Sequence, residues 1–223
     1  MLQNLLLRGM MKTVFFDLDG TLTDPGLGIT NSVLYALKTY GIEEKRENLY
    51  SFIGPPLVDS FQSRYGFSRE QGFEATRRFQ EYFSRRGLYE NEVYEGIESL
   101  LADLKKMGKK VVLVTSKPEE FALRILEHFQ LISYFDFVCG ATMDEKIRCH
   151  KDEVMAYAIE KSGAFPEETV MVGDRCFDME AAKKFGIVAV GVLYGYGDRE
   201  ELVQAGADVL CPDVSALRKE LLK

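Results

Sequence analysis

Val14-Phe15-Phe16-Asp17-Leu18-Asp19-Gly20-Thr21 is the stretch from which the rest of the chain can be read. Three apolar residues run together with no polar alternation, the pattern of a strand covered on both faces, as in a parallel sheet. The run ends abruptly in two carboxylates and a glycine. In open α/β sheets ligands bind beyond the carboxyl ends of the strands, so the polar residues after each apolar run are the ones to collect.

Outward from that point the pattern repeats. A helical period (Ile97, Leu100, Leu101, Leu104) leads to Gly108 and the run Val111-Val112-Leu113-Val114, which ends in Thr115-Ser116-Lys117. A second (Ala122, Ile125, Leu126, Phe129) precedes a short apolar run at Phe135, Phe137 and Val138. A helix over about 152–162 comes before Val170-Met171-Val172, and that run ends in Gly173-Asp174-Arg175-Cys176-Phe177-Asp178. A helix over about 178–184 then leads to Gly186 and Ile187-Val188-Ala189-Val190. Short apolar strands alternating with helices predict an α/β fold with a Rossmann-like parallel sheet.

Residues 26–92 break the alternation. After Pro25, Gly26 and Gly28 the apolar spacing is helical (Ile29, Val33, Leu37, Tyr40, then Ala75, Phe79, Tyr82, Phe83), with a turn at Ile53-Gly54-Pro55-Pro56. The stretch balances its acidic and basic residues and is rich in aromatic rings, so the negative charge of the protein rests on the remainder. It reads as a helical cap domain (26–92) inserted into an α/β core (11–25 and 93–223), preceded by a short appendage (1–10). Hinges are expected near Pro25-Gly26 and Glu92–Gly96.

Composition narrows the function. The 223 residues carry a net charge of -7, which argues against nucleic-acid polymers as partners. No apolar run approaches the roughly 20 residues of a membrane helix, so no membrane partner is expected. The four cysteines form no CxxC pair and the histidines number two. Metal ribbons, disulfide scaffolds and histidine triads are poorly supplied, and reduced thiols suit a cytoplasmic protein.

The collected residues have a shared chemistry. Asp17 and Asp19 can divide the roles of nucleophile and proton carrier. Gly20 permits a tight turn that brings backbone N–H groups to an anion. Asp174 and Asp178 are hard oxygen donors suited to Mg²⁺. Thr115 and Lys151 can hold the oxygens of a transferring phosphoryl group. So acidic a cluster would repel a phosphate dianion without a cation beside it. Cys176, inside the last of these segments, is expected to be buried and inert.

These residues, in this order, resemble the four motifs of the haloacid dehalogenase superfamily, over the chain from Lys12 onward and with a helical cap after the first motif. Gly54-Pro55-Pro56-Leu57 and Gly191–Gly197 resemble its phosphoglycolate phosphatase and 5′-nucleotidase-like branch. The resemblance implies a phosphatase that hydrolyses a small phosphorylated metabolite by way of an aspartyl-phosphate. Asp17 would be the nucleophile, Asp19 the acid and base, and Thr115 and Lys151 the phosphoryl-binding groups. Mg²⁺ would be held by Asp17, the backbone carbonyl of Asp19, Asp174 and, directly or through water, Asp178. Gly20, Thr21, Ser116 and Gly54 are the expected substrate-binding residues. A pyrophosphatase, a sugar-phosphate phosphatase and a phosphomutase are alternatives within the class. Outside it stand a phospho-acceptor signalling domain and a catalytically silent phosphate-binding module. Oligomeric state is not legible in the sequence.

Overall fold

The computed structural model describes residues 11–144 and 146–223; the expected appendage at 1–10 lies outside the described residues. Two compact units divide the chain. One comprises the chain up to Thr23 together with Val93–Lys223, the other Asp24–Glu92. The chain passes between them at β2 (Thr23–Asp24) and β3 (Glu92–Val93), the strands of a small second sheet.

The first unit is built on a parallel sheet. Its strands are β1 (Thr13–Phe16), β4 (Lys110–Pro118), β5 (Phe137–Ala141), β6 (Thr169–Gly173), β7 (Val188–Val192) and β8 (Val209–Cys211), in the order β5-β4-β1-β6-β7-β8. β1 lies at the centre in register with β4 on one side (Phe16 with Leu113) and β6 on the other (Phe16 with Val172). Burial explains the apolar runs: every residue of β1 and β6 is buried, and so are Val111–Thr115 of β4. Alternate residues face opposite sides. Phe15, Val112, Val114 and Met171 pack with Val154, Met155, Met179 and Ala182 of the helices Lys151–Ser162 and Cys176–Phe185. Truncating a ring such as Phe15 would cost about 3–5 kcal/mol.

The order of the strands selects the place for a ligand. From β1 the chain proceeds to β4 and β5 on one side, then returns across to β6, β7 and β8 on the other. The connections after β1 and β6 thus depart in opposite directions, and the crevice between their carboxyl ends is the switch point of the sheet.

The second unit is helical. Helices Gly26–Lys38, Leu57–Tyr65 and Arg69–Tyr82 are followed by a π-helical turn, Phe83–Gly87. Ser68 opens the third of these with a reciprocal capping box to Gln71. The aromatic excess fills its interior: Phe52 meets Phe61 edge-on at 5.0 Å, and Phe79 stacks on Phe83 at 5.3 Å. Arg77 and Arg78 pair with Glu74 and Glu81 on the surface of their own helix. Among the described residues no helix is long and apolar enough to cross a membrane.

Candidate active site

Asp17 and Asp174 are the first residues beyond β1 and β6, so the adjacent strands alone bring them side by side. The Asp17 amide donates to Val172 O at 2.9 Å, extending the pairing to the carboxylate itself. Asp178, in the first turn of the helix Cys176–Phe185, completes the group: ligand oxygens of Asp17, Asp174 and Asp178 lie within 4.8 Å of one another, and all three residues are buried. Lys151 enters from the first residue of its helix. Its ammonium lies 2.6 Å from Asp17 Oδ1 and 2.8 Å from Asp178 Oδ1, and donates to Val114 O at 3.1 Å.

Charge in this cluster is strongly coupled. Burial disfavours an ammonium, yet Asp17 and Asp178 outweigh it and hold Lys151 above its ordinary pKa. Burial, and then the charges of Asp17 and Asp178, raise Asp174 well above the usual carboxylate range. Burial also pushes Asp178 up, to about 6, against the opposing pull of Lys151. Three buried carboxylates, two of them paired with one ammonium, form a donor set that suits a hard divalent cation, which would relieve the repulsion that raises Asp174. The residues therefore fit Mg²⁺.

The surroundings brace these side chains. Asp174 Oδ2 accepts from the Tyr196 amide at 2.8 Å, and Oδ1 accepts from Thr21 Oγ1 at 3.3 Å. Tyr194 OH donates to Thr21 O at 2.9 Å. Asp178 Oδ2 accepts from the Arg175 amide at 3.1 Å, closing the first turn of its helix. Glu201 Oε1 accepts from Arg175 Nε at 2.8 Å and from the Cys176 amide at 2.9 Å, so it holds the loop between the two aspartates. Gly20 turns at φ +83°, and a Cβ there would overlap the Asp174 carboxylate. The close approach is possible only without a side chain.

Several expectations change. Thr21 does not face outward as a substrate-binding residue: the Gly20 turn folds it inward, it is fully buried, and its hydroxyl is committed to Asp174. For Asp19 the expectation concerned only the backbone carbonyl, and its side chain stands outside the group of carboxylates that could share an ion. Its Oδ2 is instead paired with Lys117 Nζ at 2.9 Å. Burial raises the pKa of Asp19, Lys117 opposes the rise, and Asp17 adds to it. Cys176 is half-buried rather than buried, because its loop lies at the strand ends; burial, with help from Glu201, lifts its thiol to about 12. Thr115 is buried at the end of β4 and its Oγ1 accepts from the Lys117 amide at 3.3 Å; Ser116 is half-buried beside it. Gly54 belongs to the helical unit, at φ +112°.

Sequence reasoning quoted Lys117 and the segment holding Tyr194 and Tyr196 without giving these side chains a role, and passed over Glu201. Lys117 carried a usable signal, two residues beyond Thr115 and so on the same side of an extended segment. Glu201 carried none, since only the fold brings its helix to the loop.

The chain matches the family model for haloacid dehalogenase-like hydrolases over residues 14–192. It belongs to that family. It is 41% identical over 209 residues to a 5′-nucleotidase of Pseudomonas aeruginosa, covering 93% of this chain and 94% of that one. The crystal structure of a predicted phosphatase from Clostridium acetobutylicum superposes with a TM-score of 0.92 at 43% identity, covering 95% of this chain and 98% of that one. A protein named tyrosine-protein kinase PtkA, from Mycobacterium tuberculosis, is 39% identical over 188 residues, covering 83% of this chain and 63% of that relative. The chain is thus a family hydrolase of the phosphatase type.

Proposed function

We propose that the protein is a Mg²⁺-dependent phosphomonoesterase acting on a small phosphorylated metabolite, with a nucleoside 5′-monophosphate or 2-phosphoglycolate as the leading substrates. The observation that carries the reading is the meeting of Asp17, Asp174 and Asp178 at the switch point of the sheet, with the Lys151 ammonium paired to Asp17 and Asp178. The near full-length likeness to a 5′-nucleotidase supports the nucleotide.

Asp17 is the nucleophile. Lys151 holds its Oδ1, leaving Oδ2 to attack phosphorus. As the ester P–O bond breaks, Asp19 gives its proton to the departing alcohol. It then takes a proton from the water whose oxygen bonds to phosphorus, and the Asp17–phosphoryl bond breaks to release phosphate and restore the carboxylate. Thr115 and Lys151 hold the phosphoryl oxygens through these steps. Asp17, Asp174 and the Asp19 backbone carbonyl, with Asp178 behind them, would hold Mg²⁺, which supplies charge neutralisation for the approaching dianion. Residues 26–92, which include Gly54, are assigned the role that the family resemblance implies for a cap domain, selection of the leaving group. The buried Cys139 and Cys211 thiols suit the cytoplasm, the compartment proposed here.

A phosphate-release panel tests the proposal: nucleoside monophosphates, 2-phosphoglycolate, pyrophosphate and sugar phosphates, each with Mg²⁺ and with EDTA, and with Asp17→Asn as the blank. Turnover should require Mg²⁺ and vanish in the blank. Full turnover by Asp17→Asn overturns the mechanism, and a stable phospho-form without release would favour a signalling domain instead.

A further inference from the structure

The steps above leave Lys117 without a role, although it forms a second buried ion pair at the strand ends. Its Nζ lies 2.9 Å from Asp19 Oδ2, and the two side chains are 6% and 12% exposed. The other carboxylate oxygen, Asp19 Oδ1, is buried and has no hydrogen-bond partner among the described residues. An ammonium offers donors alone. The oxygen it engages must stay an acceptor, so a proton carried by Asp19 belongs on Oδ1.

The lysine is held from its backbone. β4 loses its regular pairing with β5 between Val114 and Pro118, the kind of irregularity that re-aims side chains at a strand end. The Lys117 amide donates to Thr115 Oγ1 at 3.3 Å, so the phosphoryl-binding threonine and the lysine are set together. On the neighbouring strand, a Cβ at Gly140 would stand 2.6 Å from Lys117 O, so the close backbone contact depends on the glycine.

We infer that Lys117 is a positioning residue for Asp19, pinning Oδ2 and thereby presenting Oδ1 as the oxygen that passes protons to the leaving alcohol and from the attacking water. The inference rests on the acid–base role given to Asp19 above. In the first half-reaction the Oδ1–H bond breaks as the alcohol O–H bond forms and the ester P–O bond breaks. In the second, a water O–H bond breaks and Oδ1–H forms again as the water oxygen bonds to phosphorus and the Asp17–phosphoryl bond breaks. Lys117 keeps its own proton in both.

The test compares two phosphate monoesters on the full-length Mg²⁺ enzyme. β-Glycerophosphate must have its alcohol protonated on departure; p-nitrophenyl phosphate leaves as a stable phenolate. The comparison uses kcat/KM, which reports steps up to loss of the leaving group. Lys117→Met should lower kcat/KM for β-glycerophosphate by about 10²-fold, the low end of general-acid contributions. For p-nitrophenyl phosphate the loss should be several-fold at most. Asp19→Asn should show the same selectivity, and adding Lys117→Met to it should cost nothing further. Lys117→Arg keeps the charge at a shifted distance and should show a smaller loss of the same kind; it carries the test if the Met variant fails to fold. Equal losses on both esters would overturn the inference, since they indicate a structural role. So would a change confined to KM, which indicates substrate binding. If Asp19→Asn is itself unselective, the acid–base reading fails. If Asp19→Asn is selective and neither Lys117 variant is, the positioning role fails alone.

Discussion

Lys151→Met is the sharpest probe of the proposed site, because the substitution keeps most of the apolar stem of the side chain and removes the ammonium with its hydrogen bonds. In the native protein that charge sits 2.6 Å from Asp17 and 2.8 Å from Asp178, with the three side chains 7% exposed or less. Breaking a buried pair by deleting one partner typically costs about 3–5 kcal/mol, because the remaining charge is left without compensation. For a chain of this size each kcal/mol moves Tm by about 2–4 °C. In EDTA at pH 8 the variant should therefore melt about 6–20 °C below the wild type. Lys105→Met supplies the contrast. Its partner, Asp136, lies 2.7 Å away, yet both side chains are about one-third exposed; such a pair contributes about 1 kcal/mol or less, so this variant should lose no more than about 4 °C. Magnesium adds the second half of the assay. A ligand at a hundred times its Kd stabilises by about 2.7 kcal/mol. Without the ammonium the carboxylates should take up a cation more avidly, so Mg²⁺ should raise Tm of the Met variant at least as far as that of the wild type. Differential scanning fluorimetry with a Mg²⁺ titration reads both effects. A Lys151→Met protein as stable in EDTA as the Lys105→Met control would refute the coupled charge cluster. A Tm indifferent to Mg²⁺ in both wild type and variant would refute the shared cation.

Gly20→Ala should abolish Mg²⁺-dependent turnover and lower stability by at least about 1 kcal/mol, because the new Cβ meets the Asp174 carboxylate and the left-handed turn is strained besides; calorimetry together with phosphate release checks it, and a fully active variant would show that Asp174 can move away at no cost. Burial pushes the thiols of Cys139 and Cys211 up to about 11 each, above their unfolded values. Since the neutral form is favoured in the folded state, that stability is complete below about pH 8.5 and is lost as pH rises through about 11. Denaturation midpoints measured from pH 8 to 11 should fall accordingly, and Cys139→Ala/Cys211→Ala should flatten the fall. An unchanged slope in the double variant would assign the alkaline loss to other groups.

Much of the candidate site is legible along the chain because its signals are local. An unbroken apolar run announces a strand buried on both faces, and the polar residues that follow it mark the edge where ligands bind. Asp17, Thr115 and Asp174 could be collected that way without knowing how the strands are ordered, while Lys151 stands at the start of a helix and needed the resemblance to the family's motifs. The helical unit could be recognised because helical spacing replaces the alternation over a long stretch. Thr21 shows the limit. Its place in the first motif suggested contact with substrate, whereas the turn at Gly20 folds it beneath Asp174.

What a polar group does after its strand ends depends on which strand lies next to it, and the chain does not state that order. Placing β1 between β4 and β6 sets Asp17 beside Asp174 and gives Asp19 a lysine from β4 as its partner. Tyr196 and Glu201 reach the site from segments about 20 residues or more beyond the aspartates and arginine they support. Backbone periodicity follows from covalent geometry and is written residue by residue. Pairing of buried charges is settled only when the core has packed, because each charge excluded from water must then find its counterpart among whatever side chains the fold has brought within reach.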